Sequence, residues 1–173
     1  MSKTFRLIAF ISALVTLAAC SRPVAPLPMA VVQSESPAGN GSEEPNLSVA
    51  ADGKVYMSWL EPASDGHALQ FSVRSTQGQW SAPKMIAKGD NWFVNASDFP
   101  SMAVMPDGLL AAHWLGNNEP GSEAYDINIS LSRDGGATWG MPVTPHTDKK
   151  PRQHGFVSML PAADGKLAVI WLD

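Results

Sequence analysis

The chain has 173 residues, of which 45% are hydrophobic and 16% charged, and its formal net charge is −4. An acidic chain with no basic patch interleaved with aromatic residues argues against a nucleic-acid partner. Cys20 is the only cysteine, which excludes an intramolecular disulfide framework.

Residues 1–19 have the pattern of an export signal. Lys3 and Arg6 give a positive start, and the apolar stretch that follows is too short for a spanning helix. The stretch ends in Leu-Ala-Ala before Cys20, which resembles the lipobox of bacterial lipoproteins. The resemblance implies cleavage before Cys20, a lipidated thiol and attachment to the membrane of the cell envelope, at the outer membrane because Ser21 follows. The alternative is an ordinary secretory signal with a chance cysteine.

Residues 20–44 are rich in Pro, Ser and Gly and lack sustained periodicity. This composition is typical of a flexible tether, so the segment is predicted to join the lipidated cysteine to a domain at 45–173. Cleavage before Cys20 would remove two of the twelve Lys and Arg residues and none of the sixteen acids, and the formal charge would fall from −4 to −6.

One phrase occurs three times in that domain: a short apolar run, an Asp-Gly pair, a second apolar run, then Trp-Leu. The pairs begin at Asp52, Asp107 and Asp164, so the periods are 55 and 57 residues. Self-similarity at such a period predicts a propeller or another repeat array. The copies are residues 45–60, 100–115 and 157–172.

Each copy has the pattern of a β-hairpin. Apolar residues alternate with others on both sides of the Asp-Gly pair, which favours strand, turn, strand, with a type I′ turn expected. A second strand pair is predicted later in each period, from strand-like runs at 69–75 and 127–132. Four antiparallel strands make one propeller blade. The prediction is an all-β partial propeller, with complete blades at about 45–88 and 100–145 and a hairpin of a third at 156–173.

The second period contains a more specific motif. The pattern Ser132-x-Asp134-x-Gly136-x-Thr138-Trp139 resembles the Asp-box, or BNR repeat, of the sialidase superfamily. The resemblance covers roughly residues 45–173 and implies a six-bladed propeller. The motif is a structural device, because its Ser and Asp can bond the turn backbone, its Gly can take a positive φ and its Trp can fill the space between blades.

Two and a half blades cannot close a ring. Repeats bury their faces only against neighbours. We therefore expect either that the sequence is a piece of a longer propeller or that several copies of the chain associate to complete one.

The connections predict where a ligand would bind. The turns inside the hairpins are short, whereas the remaining connections, at 61–68, 89–99, 116–126 and 146–155, are long and polar. In a four-stranded meander these long connections share one face. Long loops on a rigid scaffold are where binding and catalysis concentrate, so we place the ligand face there.

Four residues on this face are candidates for ligand contact. Asp98 precedes an inner strand and is either a functional carboxylate or a strand cap. His154 either contacts ligand or transfers protons, or is a solvated loop histidine. Trp92 could stack on a sugar or pack the loop, and Arg152 could meet an anionic group or stay in solvent. The four histidines do not have a metal-ligand spacing, and neither a metal nor a cofactor is expected.

The sialidase resemblance weakens at the substrate-binding position. Aligned on the Asp-Gly turn, the family's Arg-Ile-Pro motif falls on Asp98-Phe99-Pro100. An acid cannot hold the substrate carboxylate as the arginine does. The expected function is therefore binding of a glycan or protein ligand through the loop face. The alternatives are a sialidase-like glycoside hydrolase whose catalytic candidates are Asp98 and His154, or an inactive fragment of one.

Overall fold

The computed structural model describes residues 30–148 and 150–173. The predicted signal, the predicted lipidation site Cys20 and the first part of the predicted tether lie outside these residues. The described part of the chain contains nine β-strands and no helix. The strands are β1 (Glu43–Val49), β2 (Val55–Ala63), β3 (Gly66–Arg74), β4 (Lys84–Gly89), β5 (Ser101–Val104), β6 (Leu110–Asn117), β7 (Tyr125–Ser132), β8 (Gly155–Pro161) and β9 (Leu167–Leu172).

The strands form three antiparallel sheets in chain order: β1–β4, β5–β7 and β8–β9. The all-β class is confirmed, and none of the three described sheets closes on itself. The fourth strand predicted in the second period is absent as a strand and is reduced to a bridge between Ile129 and Val143. Pro142 and Pro145 flank this bridge, and proline has no N–H to extend a ladder.

The three hairpin turns have the same hydrogen bonds. In the first, Gly53 N donates to Ala50 O at 2.9 Å, and Lys54 N donates to Asp52 Oδ1 at 3.1 Å. Only the glycine of the pair has a positive φ, 81° at Gly53, so the expected type I′ turn is wrong. The geometry is a type I turn closed by a left-handed glycine. The equivalent carboxylates of Asp107 and Asp164 accept in the same way.

The turn at 132–139 is held by its own polar side chains. Asp134 Oδ1 accepts from Ser132 Oγ at 2.8 Å and from Thr138 N at 2.9 Å, and Thr138 Oγ1 donates to Asp134 Oδ2 at 2.6 Å. These bonds, the one from Thr138 Oγ1 above all, hold the pKa of Asp134 well below its usual value. Gly136 has φ 79°. Trp139 meets the Phe71 ring edge-on, with centroids 6.1 Å apart, so the turn packs onto the first sheet.

The buried core lies between consecutive sheets. One cluster joins the first and second sheets through Leu60, Leu69, Phe71, Ile86, Met102, Leu110, Ala112 and Trp114. A second cluster, built on Leu115, Tyr125, Ile127 and Ile129, packs against side chains of β8 and β9. The first strands of the three sheets are neighbours, because β1 contacts β5 and β5 contacts β8. Apolar side chains at the two ends of the array are exposed, among them Val49 and Ile170.

Candidate functional site

Two features meet at the edge of the sheets where the long connections lie. This edge carries the ends of β2, β4 and β6 and the starts of β3 and β7, because antiparallel strands reverse direction at each turn. One feature is an open pocket beside two tryptophans. The other is a pair of buried histidine side chains beside partly exposed carboxylates. Asp126 belongs to both.

The first feature, which we call the tryptophan pocket, has a volume of about 370 Å³. Trp92 and Trp114 form its aromatic wall, with ring centroids 5.7 Å apart and planes inclined by 33°. The polar residues around it are Asp90, Asn91, Asn117, Asn118, Asp126, Asn128 and Thr144. The pocket therefore combines an indole surface with amide and carboxylate groups.

Backbone hydrogen bonds fix this wall. The segment that follows β4 runs beside the end of β6, where Phe93 N donates to Leu115 O at 3.0 Å and Asn117 N donates to Asn91 O at 3.0 Å. Asn91 Nδ2 also donates to Asn117 O at 2.8 Å. Trp92 is thereby bridged to Gly116, and its backbone is held against the end of β6.

The pocket opens where the second repeat departs from the other two. In the first repeat, Trp59 Nε1 donates to Glu61 Oε1 at 2.8 Å. The third repeat has the same arrangement, from Trp171 Nε1 to Asp173 Oδ1 at 3.0 Å. The second repeat has Gly116 where these acids stand. The Asn128 amide lies beside this glycine, because a Cβ at position 116 would be 2.9 Å from Asn128 Nδ2, so the second repeat presents an amide to the pocket in place of an acid.

Acidic groups dominate the charge of the pocket. Asp90 and Asp126 are its charged residues, and no described Lys or Arg lines it. Asp126 Oδ1 accepts a hydrogen bond from Asn118 Nδ2 at 2.6 Å. A pocket with this charge disfavours an anionic ligand, because like charges repel.

Asp98 lies inside the molecule between the second and third sheets. It is 5% exposed. Tyr125 Oη donates to Asp98 Oδ2 at 2.8 Å, and Phe156 N donates to Asp98 Oδ1 at 2.8 Å. Both carboxylate oxygens are therefore engaged by the protein, and the geometry is that of an anchor between elements.

The surroundings of Asp98 depend on Tyr125 and Gly155. Burial, together with the hydrogen bond to Asp98, raises the pKa of Tyr125 well above its usual value. A Cβ at position 155 would overlap Asp98 Oδ2 and lie 2.8 Å from Tyr125 Oη. Gly155 therefore leaves the room that the buried hydrogen bond between Tyr125 and Asp98 needs.

The other predicted candidates are dispersed. Trp92 lies in the tryptophan pocket. The residue after it, Phe93, packs instead on Tyr125, with ring centroids 4.0 Å apart. Arg152 is exposed and lines a separate pocket of about 360 Å³ beside Asp173. His154 is fully buried, so the solvated loop histidine considered for it is wrong.

The second feature, which we call the His–Asp group, consists of Asp126, His146, Asp148 and His154. The two imidazole rings stack with centroids 3.7 Å apart. Asp126, His146 and His154 each offer a ligand atom, and these atoms lie within 4.8 Å of one another. The three residues could therefore hold a metal ion, although the sequence spacing of the histidines predicts no such site.

Sequence reasoning missed most of this edge. His146 and His154 are eight positions apart in one loop, and the loop has to fold back on itself before they meet. Asp126 is an acidic loop residue in the sequence with no pairing that spacing reveals. One signal was available in the sequence: Gly116 stands two residues after Trp114, where the other two repeats have an acidic residue.

No protein-family model matches the sequence, and comparison with curated proteins finds no significant match. Within residues 30–148 and 150–173, no helix has the length and apolar character needed to cross a membrane.

Proposed function

We propose that this chain is part of an exported, lipid-anchored β-propeller of the Asp-box type that binds a neutral carbohydrate in the tryptophan pocket. The observation that carries the proposal is the pocket itself, in which Trp92 and Trp114 stand beside four asparagines on the loop edge. The binding role needs no catalytic group.

The propeller part of the proposal is supported by how the repeats pack. Consecutive sheets share buried clusters, and their first strands are neighbours, as in blades that surround an axis. The first and third repeats also share a register shift near the start of the first strand. A residue with positive φ, Glu44 in one and Phe156 in the other, lies within each shift.

Carbohydrate is the ligand class that suits the pocket. Sugar rings present apolar C–H faces that pack on an indole, and hydroxyls that exchange hydrogen bonds with amides. In the described residues the Asn128 side chain forms no hydrogen bond with protein, so its donor and acceptor are available to a ligand. The acidic lining favours a neutral sugar over sialic acid, because like charges repel.

The test is binding of neutral and acidic glycans on an array, followed by calorimetric titration of the best neutral sugar. Trp92→Ala should weaken binding about 30-fold, because truncating an aromatic anchor costs about 2 kcal/mol. Trp80→Ala is the matched control, since Trp80 lies beside the hairpin turn at the opposite edge. Absence of glycan binding, or equal weakening by both substitutions, would contradict the proposal.

The anchor is tested separately. Incorporation of a clickable fatty acid should label the wild-type chain in bacterial cells and should be lost in Cys20→Ala. Labelling that survives this substitution would remove the lipid anchor from the proposal without affecting the pocket.

A further inference from the structure

We propose that Asp126, His146 and His154 form a binding site for a divalent transition metal, with Zn²⁺ as the ion that fits their chemistry. His146 Nε2 lies 3.4 Å from Asp126 Oδ1. Zinc bonds of about 2.0–2.1 Å to nitrogen and oxygen place tetrahedral ligands about 3.3 Å apart. This pair already has that spacing, and the third ligand lies within reach of a small side-chain movement, since all three atoms are within 4.8 Å.

Three of the four ring nitrogens of His146 and His154 are buried without a hydrogen-bond partner. The His154 side chain is 0% exposed and that of His146 is 6% exposed. His154 Nε2 and both ring nitrogens of His146 form no hydrogen bond within the described residues. Carboxylate oxygens lie 3.4 Å from these nitrogens, but the contacts lack hydrogen-bond geometry. Buried polar atoms usually have a partner, and a cation would supply one.

The orientation of His154 is that of a metal ligand. Its Nδ1 lies 2.6 Å from Asp173 Oδ1, which also accepts from Trp171 Nε1 at 3.0 Å. With the ring proton on Nδ1, the lone pair of Nε2 points into the group. Metal-binding histidines typically donate the other ring N–H to a carboxylate in this way. Asp148 Oδ1 lies 3.4 Å from His146 Nδ1 without hydrogen-bond geometry, so His146 has no equivalent partner in this structure.

The donor set selects the ion. Two imidazoles and a carboxylate suit Zn²⁺ and its transition-metal neighbours, whereas Mg²⁺ and Ca²⁺ prefer oxygen ligands throughout. The nearby carboxylates of Asp148 and Asp173 compensate the charge of a divalent ion. Three protein ligands leave one tetrahedral position for water.

A metal here would join two parts of the fold. Asp126 lies at the start of β7, whereas His146 and His154 lie on the connection between β7 and β8. Coordination would hold that connection against the second sheet. It would also place a cation at the edge of the tryptophan pocket, which Asp126 lines. The metal proposal does not depend on carbohydrate binding.

The test is calorimetric titration of ZnCl₂ into the full chain, purified in detergent without a polyhistidine tag and treated with chelator. We expect one Zn²⁺ per chain with a dissociation constant below micromolar, and no comparable binding of Mg²⁺ or Ca²⁺. His146→Gln and Asp126→Asn should each weaken Zn²⁺ binding at least 100-fold. His67→Gln is the matched control, because His67 is partly exposed and lies outside the His–Asp group, and it should leave binding unchanged.

A spectroscopic readout separates a formed site from damaged folding. Co²⁺ added to the stripped wild-type chain should give the intense visible absorption of four-coordinate cobalt, and Zn²⁺ should displace it. Circular dichroism spectra of the variants should match the wild type. Absence of Zn²⁺ binding by the wild type, or binding retained in both His146→Gln and Asp126→Asn, would overturn the proposal.

Discussion

Replacing Tyr125 by phenylalanine removes the hydroxyl that donates to Asp98 Oδ2 at 2.8 Å and leaves the packing of the ring on Phe93 in place. Asp98 is 5% exposed, so water cannot readily replace the lost donor. A hydrogen bond to a buried charged group contributes about 1.5–3 kcal/mol to stability. We therefore expect Tyr125→Phe to lower the free energy of unfolding by about 2 kcal/mol.

Urea denaturation at neutral pH measures this loss, and thermal unfolding should show a midpoint lowered by about 6 °C, at about 3 °C per kcal/mol for a domain of this size. Tyr56→Phe is the matched control, because the Tyr56 ring stacks on Phe71 and its hydroxyl forms no hydrogen bond within the described residues. A Tyr125→Phe chain as stable as the wild type, or an equal loss in Tyr56→Phe, would refute the anchoring role of Asp98.

Three further outcomes follow from the turns and the buried acid. Burial, with the charges of Glu43 and Asp98, raises the pKa of Glu44 to about 7. The free energy of unfolding should therefore fall as pH rises from about 4.5 to 7. Glu44→Gln should flatten that part of a profile of urea denaturation against pH. The pKa of Asp134 is lowered, so the ionised carboxylate stabilises the fold at pH values above the ordinary aspartate pKa, and this stabilisation is lost on acidification. Asp134→Asn should therefore reduce the difference in the free energy of unfolding between pH 7 and pH 3, measured by urea denaturation. Gly136→Ala would force a Cβ into the Phe71 ring and should lower the thermal midpoint, whereas Gly108→Ala, whose added Cβ has open space but the same unfavourable φ, should cost less.

The strands could be predicted because their signals are local. Alternating apolar residues around Asp-Gly pairs determine a hairpin through side-chain periodicity and a turn that the Asp carboxylate itself supports. The prediction of a fourth strand in the second period failed, because prolines there oppose the strand that the repeat implies. The two prolines around Val143 limit pairing to one bridge, although the repeat implies a full fourth strand.

For the candidate site, only the edge of the sheets on which it lies could be predicted from the sequence. The alternation of short and long connections identifies which edge carries the loops, but burial within it depends on contacts between distant segments. His154 illustrates this: a polar loop surrounds it in sequence, yet the His146 ring and Asp173 enclose it in the fold. The contacts of Asp98 could not be predicted either, because its partners Tyr125 and Phe156 lie 27 and 58 positions away.

The central claim is that the tryptophan pocket binds a neutral sugar. A crystal structure of the chain soaked with the best neutral glycan from the array tests it most directly. We expect a sugar ring packed on Trp92 with a hydroxyl bonded to Asn128. A sugar bound beside Arg152, or at the edge that carries the hairpin turns, with the tryptophan pocket empty, would contradict it.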